Sequence, residues 1–208
     1  MAKQTGPKCR LCRREGTRLF LKGSRCIGQK CAMIRKNYIP GNQGTKAGKR
    51  RSSEYALHLR EKQKLRRVYN VLERQFRRYY SQASKKRGVT GDFLFQILES
   101  RLDNVVYRAN FASSRTQARQ LLNHGFFLVN NKKVNIPSYQ AQAKDKIALA
   151  ARAEKSKYFK ALQLPPKETC AWLEVDRKKR EIQVLRKPVT ADVDQAIDMA
   201  LIVEYYSR

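Results

Sequence analysis

Residues 1 to 51 hold fifteen Lys and Arg side chains against one acid, Glu15, with Gly and Pro scattered through and little helical periodicity. A basic stretch with so few apolar residues cannot order itself by burial alone. It reads as an extension, residues 1–45, rather than as part of a core. Within it Cys9, Cys12, Cys26 and Cys31 form the pattern C-x2-C-x13-C-x4-C. A two-residue gap lets both thiolates of a pair reach one ion, and the thirteen-residue loop brings the second pair to the opposite side of a tetrahedron. Four thiolates favour zinc, which would also cross-link the extension, and an iron-sulfur cluster on the same four cysteines is the alternative. A disulfide framework is disfavoured because the chain shows no secretion signal and reducing compartments keep thiols free. Cys170 has no partner at useful spacing and is expected to pack beside a strand.

The whole chain carries 46 Lys and Arg against 17 Asp and Glu, a formal charge of +29 on 208 residues. Self-repulsion of that size is relieved by a polyanion. A membrane surface would be met by an amphipathic helix with a broad apolar face or by a lipidation signal, and neither is present. The longest apolar runs, Ile147 to Ala151 and Met199 to Val203, fall far short of the roughly 18 residues that span a bilayer. The opening residues hold no apolar segment of the kind a signal peptide needs, so cytoplasmic residence is expected, or an organelle matrix after removal of a transit peptide. Nucleic acid is the expected partner.

From Ser53 onward the texture changes. Glu54 to Arg67 and Leu72 to Lys86 are rich in Leu, Glu, Gln, Arg and Lys and predict two basic helices. Asn70 with Glu73 predicts an N-cap for the second, and Gly88 its stop. Gly91 to Arg108 repeats Phe93, Leu94, Ile97, Leu98, Leu102, Val105 and Val106 at three- and four-residue steps, a core-facing stripe. Ser114 with Gln117 predicts a capping box opening a short helix that ends at Gly125 in a left-handed cap. Past Gly125 the period becomes two. Phe127 to Val129 and Lys133 to Ile136 flank Asn130-Asn131, a pair suited to a tight hairpin turn. Further strands are expected at Lys146 to Ala150, Ala171 to Val175 and Ile182 to Leu185, and a last helix over Thr190 to Ser207.

Arg60, Lys64 and Arg67 lie at helical i, i+4 and i+7, and Arg74, Arg77 and Arg78 form a similar row on the next helix. Glu54, Glu61 and Glu73 are too few to pair them, so both rows are expected to meet phosphates. Lys62 and Arg66 on the same helix, Lys85-Lys86-Arg87 before Gly88, and Arg10, Arg13 and Arg14 beside the first cysteine pair extend that footprint. Cations spread over several elements, with no helix resembling a major-groove reader, suit the irregular shape of folded RNA.

The segment Ser-Arg-Thr-Gln-Ala-Arg-Gln-Leu-Leu-Asn-His-Gly, Ser114 to Gly125, followed by Leu128-Val129-Asn130, resembles the S4 RNA-binding module. That module also occurs in pseudouridine synthases, tRNA synthetases and a heat-shock protein, so alone it implies RNA and not a role. The flanks add Gly-Pro-Lys-Cys-Arg-Leu-Cys-Arg-Arg-Glu-Gly near the start, Arg-Glu-Lys-Gln-Lys-Leu-Arg-Arg at Arg60 to Arg67, Glu-Ser-Arg-Leu-Asp-Asn-Val-Val-Tyr-Arg at Glu99 to Arg108, and the ending Ile-Val-Glu-Tyr-Tyr-Ser-Arg. Together these resemble the small-subunit ribosomal protein S4 family of bacterial and organellar type, in its four-cysteine metal-binding branch. The resemblance implies an α+β fold: a metal-binding extension over 1–45, a helical domain over 46–94 completed by 188–208, and an S4-type RNA-binding domain with a small antiparallel sheet over 95–187. It implies direct binding of small-subunit rRNA at a multi-helix junction of the 5′ domain early in assembly. It also implies a place beside ribosomal protein S5 and other small-subunit proteins near the messenger entry path, with an effect on decoding accuracy. Carried over by position, Arg115, Arg119, Gln120 and His124 are the module's expected RNA-facing residues, and Thr116, Lys132 and Lys133 are further expected RNA contacts. Asn110 and Asn131 stand where the family commonly has glycine, and Phe126 where it often has a polar residue.

An enzyme would need a catalytic constellation, and the chain offers two histidines, His58 and His124, both inside basic segments. Asp103 sits in the amphipathic stripe and is expected to cap or pair with a nearby Arg. The chain is therefore expected not to be an enzyme. A regulator that binds its own messenger would share all these features, because a messenger can mimic the rRNA site.

Overall fold

The computed structural model describes residues 4–41, 53–162, 170–192 and 197–207. The chain divides into two compact units, one of Met1–Leu94 with Gln195–Arg208 and one of Phe95–Asp194.

The first unit holds α1 (Lys8–Glu15), α2 (Ser24–Ile27), α3 (Ala32–Arg35), α4 (Glu54–Val68), α5 (Glu73–Ser84), the start of α6 (Thr90–Glu99) and, at the other end of the chain, α11 (Met199–Ser207). The described part of the expected extension, residues 4–41, is not bare. Cys12, Leu19, Leu21, Cys26 and Cys31 are buried, and α1 packs on α3 and α4. Ser53 caps α4, its hydroxyl accepting from the Ala56 N–H at 3.3 Å. At the far end, Asn70 takes φ 52, and the Asn70 and Val71 N–H groups donate back to the Arg67 and Arg66 carbonyls. Asn70 is thus the left-handed residue that ends α4, not the cap that begins α5; Leu72 holds that position without a side-chain bond. Helix α11 lies on α4, with Ile202 fully buried and Glu204 Oε2 3.0 Å from His58 Nε2.

The second unit continues α6 and adds α7 (Leu102–Arg108), α8 (Arg115–Asn123), β1 (Phe127–Val129), β2 (Lys132–Lys133), β3 (Lys146–Leu149), the short α9 (Ala151–Glu154) and α10 (Lys157–Ala161), β4 (Leu173–Asp176), β5 (Glu181–Val184) and a 3-10 turn at Thr190–Asp192. The apolar stripe expected as one segment is two helices, broken at Ser100 and Arg101. Arg101 is extended at ψ 135 and pairs with Asp103 at 2.6 Å, while the Leu102 and Asp103 N–H groups donate to the carbonyls of Tyr139 and Pro137. Bonds to a distant segment replace the intrahelical ones there, so the break costs no unsatisfied backbone.

The sheet is antiparallel throughout, in the order β2-β1-β3-β5-β4. Asn130 and Asn131 take φ 48 and 63, the two positive values a type I′ turn requires. The expected strand Lys133 to Ile136 is reduced to β2, because the chain beyond it turns to offer the Pro137 and Tyr139 carbonyls to α7. Leu102, Val105, Val106, Phe111, Ala118, Leu122, Phe127, Ile147, Phe159, Trp172 and Ile182 close the core between α7, α8 and the sheet. The expected helix over Thr190 to Ser207 starts as the 3-10 turn, held by Asp192 accepting from Arg186 and the Val189 N–H, and becomes α-helix only at Met199. Residues 193–196 lie outside the described residues. Among the described residues, no helix is long and apolar enough to cross a membrane.

Candidate nucleic-acid interface

On α4 the cations are held by acids. Glu15, at the end of α1, receives both Arg60, at 3.3 Å, and Arg67, with its own side chain 1% exposed. Burial pushes the Glu15 carboxyl up and the Arg67 guanidinium down, each against the pull of the other's charge. Glu73 accepts from Lys62 at 2.9 Å and lies 3.4 Å from Arg66, and Lys64 meets Glu61 at 3.3 Å. Lys62 is itself buried, its ammonium 4.4 Å from the Tyr205 ring centre. The expectation that acids are too few to pair this row is therefore corrected. Glu15 comes from a helix the local sequence does not show, and Glu73 serves two cations.

On α5 and after it the cations stand in solvent. Arg74, Arg77 and Arg78 are exposed and have no ion pair among the described residues. Lys85, Lys86 and Arg87 are exposed as well, the Lys86 ammonium 5.3 Å from the Phe93 ring centre. Near the cysteines, Arg10 and Arg14 are exposed, while Arg13 is fixed by donating to the Tyr38 carbonyl at 2.9 Å and stacking over its ring at 4.3 Å.

In the second unit the expected RNA-facing row divides. Arg115 and Arg119 are 7% and 4% exposed. Arg115 Nε donates to Asn104 Oδ1 at 2.8 Å, and its guanidinium lies 4.5 Å from the Tyr107 ring centre. Behind it Glu99, fully buried, accepts from Arg108 at 2.8 Å and from Asn104 Nδ2 at 2.7 Å. Sequence reasoning missed this network. Its signal was Glu99 and Asn104 lying among the apolar positions of the stripe. The bonds supply the partners that a buried ionised carboxylate requires. Gln120, His124, Lys132 and Lys133 are exposed and Thr116 is half-buried. The Lys133 stem crosses Gly125, where an added Cβ would collide with Lys133 Cε, and Gly125 itself has φ 69. The left-handed cap thus leaves room for the lysine to lie over the end of α8. Phe126 stacks edge-on against Phe159 and lies 5.6 Å from it.

Cys9, Cys12, Cys26 and Cys31 line one small apolar pocket with Lys22, Arg25, Ala32 and Met33. Burial pushes the Cys12 thiol up, and the other three thiols add to the shift against a bond from the Leu19 backbone. The Lys22 N–H donates to Cys26 Sγ at 3.3 Å. The four sulfurs are gathered without closing into a ligand set: among the described residues, no group of three or more His, Cys, Asp or Glu side chains is arranged to hold a metal ion. Cys170 lies apart, its carbonyl accepting from Leu173 N–H at the start of β4 and its thiol pushed up by burial.

The family profile "Ribosomal protein S4/S9 N-terminal domain" matches residues 3–99, and the "S4 domain" profile matches residues 100–147. "Small ribosomal subunit protein uS4A" of Clostridium botulinum (strain ATCC 19397 / Type A) is 50% identical over 208 residues, covering all of both chains. The chain belongs to the ribosomal protein S4 family. "Small ribosomal subunit protein uS4" of Clostridium botulinum (strain Eklund 17B / Type B) is 49% identical and "uS4A" of Clostridium perfringens (strain ATCC 13124) 48% identical, again over the whole of each chain. The S4 domain proper comprises α7, α8, β1 and β2 and reaches Ile147 of β3. The S4 family consists of ribosomal structural proteins, not enzymes. The residues a catalytic reading would use are engaged in holding the fold, Asp103 with Arg101 and His58 with Glu204.

Proposed function

We propose that this S4 family member binds small-subunit rRNA directly through the exposed cations of both units. These are Arg10, Arg14, Arg74, Arg77, Arg78, Lys85, Lys86 and Arg87 in the first, and Lys132 and Lys133 with Thr116, Gln120 and His124 in the second. The observation that carries the reading is α5 and the turn after it. Cations there are left without acids in a chain that is half identical, end to end, to proteins named for the small ribosomal subunit. Lys62, Arg115 and Arg119 act from inside, positioning the elements that carry the exposed groups. The finer role is that of a primary binder at a multi-helix junction of the 5′ domain, nucleating assembly and contributing to decoding accuracy beside ribosomal protein S5. The protein would reside on the ribosome in the cytoplasm or an organelle matrix. Its own messenger would be bound by the same cations wherever it mimics that junction.

Chemical footprinting of small-subunit RNA with and without the protein tests this. Protection clustered at one junction is expected, with an association constant that falls linearly in log-log form as salt rises. Absence of protection, or an affinity indifferent to salt, overturns it.

Cys9, Cys12, Cys26 and Cys31 are proposed to hold zinc as thiolates. Their spacing and their gathering around one pocket support this. Zinc would supply a cross-link to a segment with few buried apolar residues. Metal analysis of anaerobically purified protein should return zinc; iron with inorganic sulfide would assign a cluster to the same ligands instead, and no metal would remove the site.

A further inference from the structure

Helices α4, α5 and α11 leave a cleft of about 620 Å³ between them, lined by Tyr55, Lys62, Gln63, Arg66, Arg77 and Tyr205, with Glu73 and Tyr206 at its floor. The floor is fixed. Tyr206 stacks on Tyr80 at 4.5 Å between ring centres and donates its hydroxyl to Glu73 Oε1 at 2.7 Å, and Glu73 also holds Lys62 and Arg66. Three cations against one carboxylate leave the cleft net positive, so it repels a basic side chain from a partner and attracts an anion.

Its walls offer more than charge. Arg77 is exposed and has no acid partner among the described residues. Arg66 Nε, Gln63 Oε1 and Glu73 Oε2 are buried atoms without a hydrogen-bond partner among the described residues. Tyr55, 54% exposed, stands with its ring centre 5.8 Å from that of Tyr205, the planes inclined at 34°. A ligand that uses both the charge and the ring carries an anionic group and a planar face. An acidic peptide would satisfy the cations and leave the tyrosine faces unused. A nucleotide satisfies every feature, and the volume lies in the range of small-molecule sites, roughly 300 to 1,000 Å³.

The geometry points to this cleft as the seat of one unpaired rRNA nucleotide, its base on the exposed face of Tyr55 and its phosphate toward Arg66 and Arg77. Base stacking on aromatic side chains is how proteins take hold of unpaired bases. The inference rests on the rRNA-binding reading and adds to it a defined site on the first unit.

The test uses the full chain and small-subunit rRNA, read by filter binding and by footprinting at single-nucleotide resolution. Tyr55→Ala is expected to weaken binding roughly fivefold to tenfold, the low end for loss of one stacked base. It should also restore the reactivity of a single nucleotide while the other protections stay. Tyr55→Phe keeps the ring and should retain both the affinity and that protection. Arg77→Ala, at a second exposed position, should release the same nucleotide. Both alanine variants should melt with the wild type, because neither side chain is buried. If the wild type protects its junction and Tyr55→Ala leaves affinity and every protection unchanged, the cleft is empty of RNA and rRNA binding stands. If the alanine variant loosens the whole footprint evenly, the tyrosine acts through the fold and the nucleotide seat is wrong. If the wild type gives no footprint at all, both readings fall together.

Discussion

Helices α4 and α5 are neighbours in sequence, carry nearly the same rows of cations, and put them to opposite uses. Arg60, Lys62, Lys64, Arg66 and Arg67 on α4 each face a carboxylate, and Lys62 is withdrawn from solvent altogether. Arg74, Arg77 and Arg78 on α5 face none among the described residues. Local spacing does not separate the two rows. What separates them is where the other elements deliver acids: α1 ends in Glu15 against α4, and the first turn of α5 points Glu73 back at α4 as well. A charge row on a helix thus predicts a phosphate-binding face only once the acids brought by the fold have been assigned. The α4 row holds the unit together, and the α5 row stands in solvent.

The largest effect expected from that division is on stability. Glu15→Gln leaves Arg60 and Arg67 without their shared carboxylate in a place where the acid was 1% exposed. Breaking a buried pair on one side costs about 3 kcal/mol. Urea unfolding should show that loss, with the RNA affinity of the remaining folded protein unchanged; a stability within about 0.5 kcal/mol of wild type would mean that α4 is as solvated as α5. The converse change is Arg74→Gln, Arg77→Gln and Arg78→Gln together. Stability should hold, while rRNA affinity falls roughly tenfold or more and the slope of log affinity against log salt shrinks by about 2 to 3. Equal affinity with an unchanged slope would break the comparison from the other side.

The division was only half legible in the sequence. Elements set by local chemistry could be read off directly: Ser114 accepting from the Gln117 N–H, Gly125 at φ 69 ending α8, and Asn130-Asn131 turning the hairpin. The Asn110 substitution for a common glycine also kept its role, at φ 64 with Phe111 N–H returning to the Val106 carbonyl. Asn70 misled because the same residue serves a helix start and a helix end, and only the backbone distinguishes them. What remained hidden depended on partners far along the chain. Glu15 lies 45 residues before Arg60, and the carbonyls that interrupt the apolar stripe at Arg101 come from Pro137 and Tyr139. The same holds for Arg115 and Arg119, expected to face RNA and buried here, with Arg115 donating to Asn104. Gln120 and His124, on and just after the same helix, are exposed.

The smallest effect concerns Glu73, the acid between the two helices. Burial pushes its carboxyl up, but bonds from the Tyr206 hydroxyl and the Lys62 ammonium, with Arg66 nearby, outweigh that and hold it below the ordinary value of 4.5. A carboxylate more acidic in the folded than in the unfolded chain stabilises the fold fully above the unfolded value, and that contribution is lost as pH falls through the folded one. Stability should therefore be indifferent to this group from pH 7 to about 5 and decline below about 4.5. The side chain is 42% exposed, so solvent screening limits the contribution to about half a kcal/mol. Glu73→Gln should remove that part of the acid limb, visible as a smaller fall in melting temperature between pH 5 and pH 3 than in wild type. An identical acid limb in the two proteins would place the Lys62 and Arg66 pairing on the same footing as a solvated surface contact, and would leave Glu15 as the one buried acid among those pairing the α4 cations.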